Sequence, residues 1–132
     1  MSGSVAYLDA SAYVKLPLWE PEADALSSEM ARWPVRSSSA LLGVEAMRAV
    51  ARIEPAMLAE TRQALDCIAL IPLTADVLRL AGDIAGPSLR SLDAIHLATA
   101  ASLGDDLGTI FTYDRRMISG ALALGLPVAS PT

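Results

Sequence analysis

In the stretch Ser4-Val5-Ala6-Tyr7-Leu8-Asp9-Ala10-Ser11-Ala12-Tyr13-Val14-Lys15-Leu16-Pro17, Val5 to Leu8 is a short β-favouring run that ends at Asp9. Ala10 to Leu16 then reads as a short helix that Pro17 stops. A carboxylate therefore stands at the C-terminal end of a strand. Three more acids occupy comparable contexts: Glu45 in GVEAMR, Asp93 in SLDAIH and Asp114 in FTYDRR. Such places normally exclude charge, because a desolvated lone carboxylate is costly and tends to protonate instead. Four of them ask for a shared cation. The hard ions Mg²⁺ and Mn²⁺ suit an all-oxygen ligand set.

Working outward from that stretch, Glu22 to Arg32 carries helix formers, and Pro34 precedes a brief strand from Val35 to Ser37. Ser38 or Ser39 can cap the next helix, which runs to about Ile53 before Pro55. On it Glu45, Arg48 and Arg52 recur at spacings of three and four and share one face. Ala56 to Asp66 reads as a further helix, and the apolar run Cys67 to Leu73 as a buried strand. Thr74 then caps a helix through Ile84, and Gly86-Pro87-Ser88 marks a loop. Leu92 to Leu103 is helical, with Asp93 in the first turn, where the helix dipole favours a carboxylate. Gly104 to Gly108 is a turn, Thr109 to Thr112 a strand, Arg115 to Leu124 a helix, and Pro127-Val128 a last short strand.

Strands alternating with helices predict an α/β sandwich around a central, mostly parallel sheet. Ligand sites in such sheets form beyond the carboxyl ends of the strands. Asp9 and Asp114 follow strands as that rule requires, and Glu45 and Asp93 come from helices that can flank the same crevice.

A length of 132 residues predicts one domain, 1–132, and the 53% hydrophobic and 19% charged content excludes a disordered chain. The single cysteine, Cys67, has no intrachain partner, which fits a reducing cytoplasm, and its apolar run favours burial over reactivity. The N-terminus lacks the basic and apolar regions of a secretory signal, and each apolar stretch is too short for a bilayer span. A soluble protein without a membrane partner is expected. A net charge of −5 disfavours an extended basic face for nucleic acid. Yet Arg48, Arg52, Arg90, Arg115 and Arg116 cluster near the acidic motifs. They form either a local basic rim that guides a phosphate backbone or a balance for the carboxylates.

Each acid also has a plainer reading. Asp9, Asp93 and Asp114 can cap turns or helices, and Glu45 can pair with Arg48 on a solvated face. His96 is placed to orient a carboxylate, although a hydrogen-bonded helix histidine is its plainer role. Asp105 and Asp106 read as a solvated turn, and Trp19 and Trp33 as helix-end packing or partner anchors. With one histidine a Ser-His-Asp triad is implausible. A phosphoacceptor receiver needs a lysine near a late strand, whereas the lone lysine, Lys15, comes early. A haloacid-dehalogenase-like phosphatase prefers a second Asp where Ser11 stands.

YLDASAYVKL, SSALLGVEAMRAVAR, LRSLDAIHLATA and FTYDRRMISGALALGLPV together resemble the PIN-domain ribonucleases, specifically the VapC toxins of type II toxin–antitoxin pairs. The resemblance implies a three-layer α/β/α sandwich and an acidic site of Asp9, Glu45, Asp93 and Asp114 binding Mg²⁺ or Mn²⁺. It places Ser11 and Thr112 as small hydroxyl residues beside that site. Tyr113 departs from the pattern, being bulkier than the small residues often found there. The activity implied is metal-dependent hydrolysis of structured RNA, tRNA or a ribosomal RNA loop, inhibited by a VapB-type antitoxin. Arg115 and Arg116 are the candidate RNA contacts. A homodimer is expected from the resemblance together with the high apolar content. The alternative is a PIN-like module that binds RNA or protein without cleaving; the retention of all four acids argues against it.

Overall fold

The run Val5–Leu8 becomes strand β1, and in a computed structural model describing residues 2–86 and 88–132 it is the middle of a five-stranded sheet. Its neighbours are β2 (Val35–Ser39) and β4 (Leu107–Phe111), with β3 (Ala69–Ile71) and β5 (Val128–Ala129) at the edges, in the order β3-β2-β1-β4-β5. All pairings are parallel. A strand inside a parallel sheet is covered on both faces, which is why Ala6, Tyr7 and Leu8 are all buried although only alternate residues share a face.

The two faces meet different helices. Ala6 and Leu8 pack with Ala12 of α1 (Ala10–Tyr13), Leu26 and Met30 of α2 (Ala23–Met30), and Phe111. Tyr7 and Ile110 pack on the other face with Leu97 and Ala100 of α6 (Ser91–Ala101) and with Met117 and Ala121 of α7 (Arg115–Ala123). Tyr13 of α1, Leu42 and Ala46 of α3 (Leu41–Ile53), and Leu65 of α4 (Leu58–Leu65) form a third cluster. Val77 and Ala81 of α5 (Ala75–Asp83) pack against Ala94 and Ala98 of α6. Helices on both sides of a parallel sheet are the three-layer sandwich expected from the alternation. Among the described residues no helix is long and apolar enough to cross a membrane.

Several local expectations are corrected. Helix α1 ends at Tyr13, short of Leu16, because Pro17 has no N–H for the Tyr13 carbonyl. Lys15 and Leu16 instead donate to Ala12 and Tyr13, three residues back. Strand β2 continues to Ser39 despite its polar end, since the Ser37 and Ser38 hydroxyls donate to the Ala6 and Leu8 carbonyls at 3.1 and 2.6 Å. The run Cys67 to Leu73 yields only Ala69–Ile71, an edge strand with Ala69 and Leu70 exposed. Pro72 cannot extend a ladder. Cys67 lies in the preceding turn and is exposed, not buried. Pro55–Met57 forms a 3₁₀ turn before α4, and Gly104–Asp106 another before β4. Pro87, from the expected loop, lies outside the described residues. Trp33 packs edge-on to Phe111, whereas Trp19 is 79% exposed at a positive φ of 50° and is no packing residue.

Gly108 lies inside β4 rather than in the turn before it, and its missing side chain has a structural reason. A Cβ there would run into the Trp33 ring and the Gly3 carbonyl oxygen. Gly108→Ala should therefore lose about 1–3 kcal/mol, the usual cost of overpacking. In Gly82→Ala, on α5, the added Cβ meets nothing within 4 Å, so that variant should be neutral or slightly stabilised. Thermal denaturation of the pair checks the contrast; equal melting temperatures would contradict it.

Candidate active site

The parallel register of β1 and β4 pairs Leu8 with Phe111, so the next residues, Asp9 and Thr112, leave the sheet side by side. The Asp9 N–H still donates to the Phe111 carbonyl, at 3.3 Å. Asp9 is 3% exposed, and its carboxylate accepts three hydrogen bonds. The Thr112 hydroxyl donates to Oδ2 at 2.6 Å, and the Ser11 hydroxyl and Ala12 N–H donate to Oδ1 at 2.7 and 3.0 Å. Asp9 thus caps α1 while acting as the hub of the strand ends.

The same hydroxyls reach the second acid. Thr112 Oγ1 accepts from the Asp114 N–H at 3.2 Å, and Ser11 Oγ accepts from the Tyr113 N–H at 3.0 Å. One threonine therefore links Asp9 to the backbone that carries Asp114. The Asp114 carboxylate turns to cap α7, accepting from the Arg116 N–H at 2.9 Å.

Glu45 lies on α3. Its partner is not Arg48 but His96 of α6, whose Nε2 lies 2.7 Å from Glu45 Oε1. His96 Nδ1 in turn lies 2.7 Å from the Tyr7 hydroxyl. Asp93, one turn before His96, accepts from the Arg90 N–H at 3.2 Å in the cap of α6. The capping readings of Asp9, Asp93 and Asp114 are thus all realised, alongside whatever else these residues do.

Burial raises the Asp9 pKa above its ordinary value, and the bonds from Thr112, Ser11 and Ala12 only partly oppose it. Among the described residues Asp9 has no Lys or Arg partner. The donor chemistry of the four acids, oxygen throughout, fits Mg²⁺ or Mn²⁺. The side chains do not gather, however: among the described residues no three His, Cys, Asp or Glu form a group able to hold a metal. Asp93 and Asp114 spend oxygens on helix caps, and Glu45 leans on His96. Holding a cation with these residues would require at least Asp93 and Asp114 to turn from their caps.

Two features escaped the sequence. Tyr7 gives no signal beyond that of a strand residue, since its bond to His96 spans 89 positions. Tyr113, suspect for its bulk, has its ring under Lys15 Nζ at 4.6 Å and donates its hydroxyl to the Pro131 carbonyl at 2.7 Å.

The PIN domain family model matches residues 6–121. Ribonuclease VapC46 of Mycobacterium tuberculosis is 46% identical over 96% of this chain and 97% of its own length. Ribonuclease VapC47 of the same species is 41% identical over 95% and 96%. A solved toxin–antitoxin complex from Klebsiella pneumoniae superposes with a TM-score of 0.72 at 22% identity, covering 96% of this chain and 98% of that one. VapC20 of M. tuberculosis, described as a Sarcin-Ricin loop cleaving toxin, superposes with a TM-score of 0.71 at 19% identity, over 96% and 99%. At those identities the superpositions speak for the fold.

A raised carboxylate pKa has a definite sign. The folded protein holds its proton more tightly than the unfolded chain, so Asp9 favours folding below its unfolded pKa of about 4 and loses that contribution as pH rises through the higher folded value. With chelator present, Asp9→Asn should melt above the unsubstituted protein at pH 7, and the gap should close as pH falls toward 4. A variant that melts lower at pH 7 by the same margin as at pH 4 would show that the charge carries no penalty.

Proposed function

Because the chain belongs to the VapC family of PIN-domain ribonucleases, we propose that it is a Mg²⁺- or Mn²⁺-dependent endoribonuclease toxin whose site is the acidic end of the sheet. The observation that carries this reading is Asp9: a carboxylate buried at the end of the central strand, held by two hydroxyls and lacking a cationic side chain among the described residues. A divalent ion held by these acids would lower the pKa of the attacking water and offset charge developing on the phosphate.

The chain's own residues do the rest. Asp9 offers a fixed anchor, with Ser11 and Thr112 holding its carboxylate in one orientation. Glu45, Asp93 and Asp114 are the further ligands or water-orienting bases; Asp114 follows the Thr112 that bonds Asp9, and Glu45 is bonded to His96 of the helix that carries Asp93. Arg115 and Arg116 are exposed on the first turn of α7, next to Asp114, and among the described residues neither forms an ion pair with an acid. That favours their service as a rim for the RNA backbone over charge balance.

The substrate proposed is structured RNA, tRNA or a ribosomal RNA loop, in the cytoplasm. A VapB-type antitoxin is the proposed inhibitor; an arginine from it would satisfy the acids bidentately and displace the cation. The solved Klebsiella complex supports a partner of that kind. The toxin itself is proposed to be a homodimer. The ungathered acids would also suit a module that binds without cleaving. Metal-dependent cleavage decides between the two.

RNA cleavage by the purified chain should appear with Mg²⁺ or Mn²⁺ and vanish with chelator. Asp9→Asn, Glu45→Gln, Asp93→Asn and Asp114→Asn should each reduce it by about 100-fold or more, as expected for loss of a positioned charged group. Full activity in two or more of these folded variants would defeat the site. In a cleavage-dead background, the Arg115→Ala, Arg116→Ala double variant should bind single-stranded RNA with a salt slope shallower by about 0.7 per lost contact. An unchanged slope would give both arginines to structure.

A further inference from the structure

The chain has one histidine, and the proposed chemistry has no use for it as acid, base or ligand. Its placement is nonetheless specific. His96 is 3% exposed, yet neither ring nitrogen turns to a backbone carbonyl, the usual way to satisfy a core histidine. Nε2 meets Glu45 and Nδ1 meets Tyr7, both at 2.7 Å. The line runs from the central strand β1 through α6 to α3.

We propose that His96 is a positioning residue, which holds the Glu45 carboxylate in place for its cation through an Nε2–H bond, with Tyr7 fixing the imidazole tautomer. The inference rests on the metal-site reading above. An ionised carboxylate only accepts, so the proton between His96 and Glu45 belongs to Nε2. In the neutral ring Nδ1 is then an acceptor, and the Tyr7 hydroxyl donates to it. Tyr7 can keep that role, because its hydroxyl lies 2.7 Å from Nδ1 and its side chain is wholly buried.

The geometry resists rotation. Tyr7 is wholly buried, its ring stands edge-on to the imidazole at 73° with centroids 5.8 Å apart, and Glu45 is itself only 19% exposed. A single bond to Oε1 uses one lone pair and leaves the others on the carboxylate for a cation. This suits a carboxylate that must present itself from a helix, where a free glutamate samples several rotamers. Outer partners of this kind typically change metal affinity by about 10–100-fold when removed.

Because His96 is the only histidine, a ¹⁵N-histidine spectrum of the full chain contains one imidazole. The proposal predicts the tautomer with a protonated Nε2 and an unprotonated Nδ1, with Nε2 shifting on addition of Mg²⁺. The opposite tautomer, or an equal shift in Glu45→Gln, would overturn it.

Mn²⁺ affinity, measured by electron paramagnetic resonance without RNA, gives the second readout. His96→Ala should weaken binding about 10-fold or more. Tyr7→Phe should weaken it less, and His96→Gln, which keeps an N–H near the place of Nε2, should restore most of the loss. Unchanged Mn²⁺ affinity in His96→Ala, with only a lower melting temperature, would leave His96 a core residue and end the inference alone. A wild-type protein that binds no Mn²⁺ would end the metal reading and the inference together.

Discussion

The structure turns on one electrostatic conflict. Asp9 continues a strand covered on both faces, and its carboxylate is kept almost wholly from water without a cationic neighbour among the described residues. Three hydrogen bonds reduce the cost, while burial raises the Asp9 pKa above its ordinary value. A carboxylate in that state gains more from a divalent cation than a solvated one does, because its hydration shell has already been lost.

The surroundings follow from meeting that demand. Parallel register brings Thr112 beside Asp9, and the turn that follows carries Asp114. Ser11 closes the other side and ties down the Tyr113 backbone. On the opposite flank Glu45 is held from within by His96 rather than from solvent by an arginine. The acids are therefore mounted on rigid elements while two of their carboxylates remain parked on helix caps. On the proposed metal reading, ordering the last ligands and binding the cation would be a single event.

How much of this the sequence revealed depended on how local the cause was. The β-run before Asp9, the Thr74 cap and the strand–helix alternation rest on neighbouring residues, and each appears in the structure where it was expected. The polar end of β2 was illegible past Ser37, because what makes Ser37 and Ser38 tolerable inside a sheet is a pair of carbonyls on β1, 30 or so positions away. The apolar run around Cys67 promised burial, but at the edge of the sheet β2 flanks it on one side only. Glu45 had a tempting local partner in Arg48 at helical spacing. The actual one lies 51 residues on and depends on tertiary packing. That Asp9 and Asp114 follow strands and that Glu45 and Asp93 sit on helices was legible; the orientations of their side chains were not.

The central claim is that the buried carboxylate of Asp9 anchors a divalent cation which Asp93 and Asp114 turn from their helix caps to share. Diffraction from crystals grown with Mn²⁺, collected for its anomalous signal, tests this most directly. The account predicts a peak about 2.0–2.2 Å from an Asp9 oxygen, the range for a small hard cation, with at least one of Asp93 and Asp114 released from its helix cap toward the ion. Fully occupied Mn²⁺ elsewhere on the protein, with Asp9 still bonded only to Ser11, Ala12 and Thr112, would contradict it.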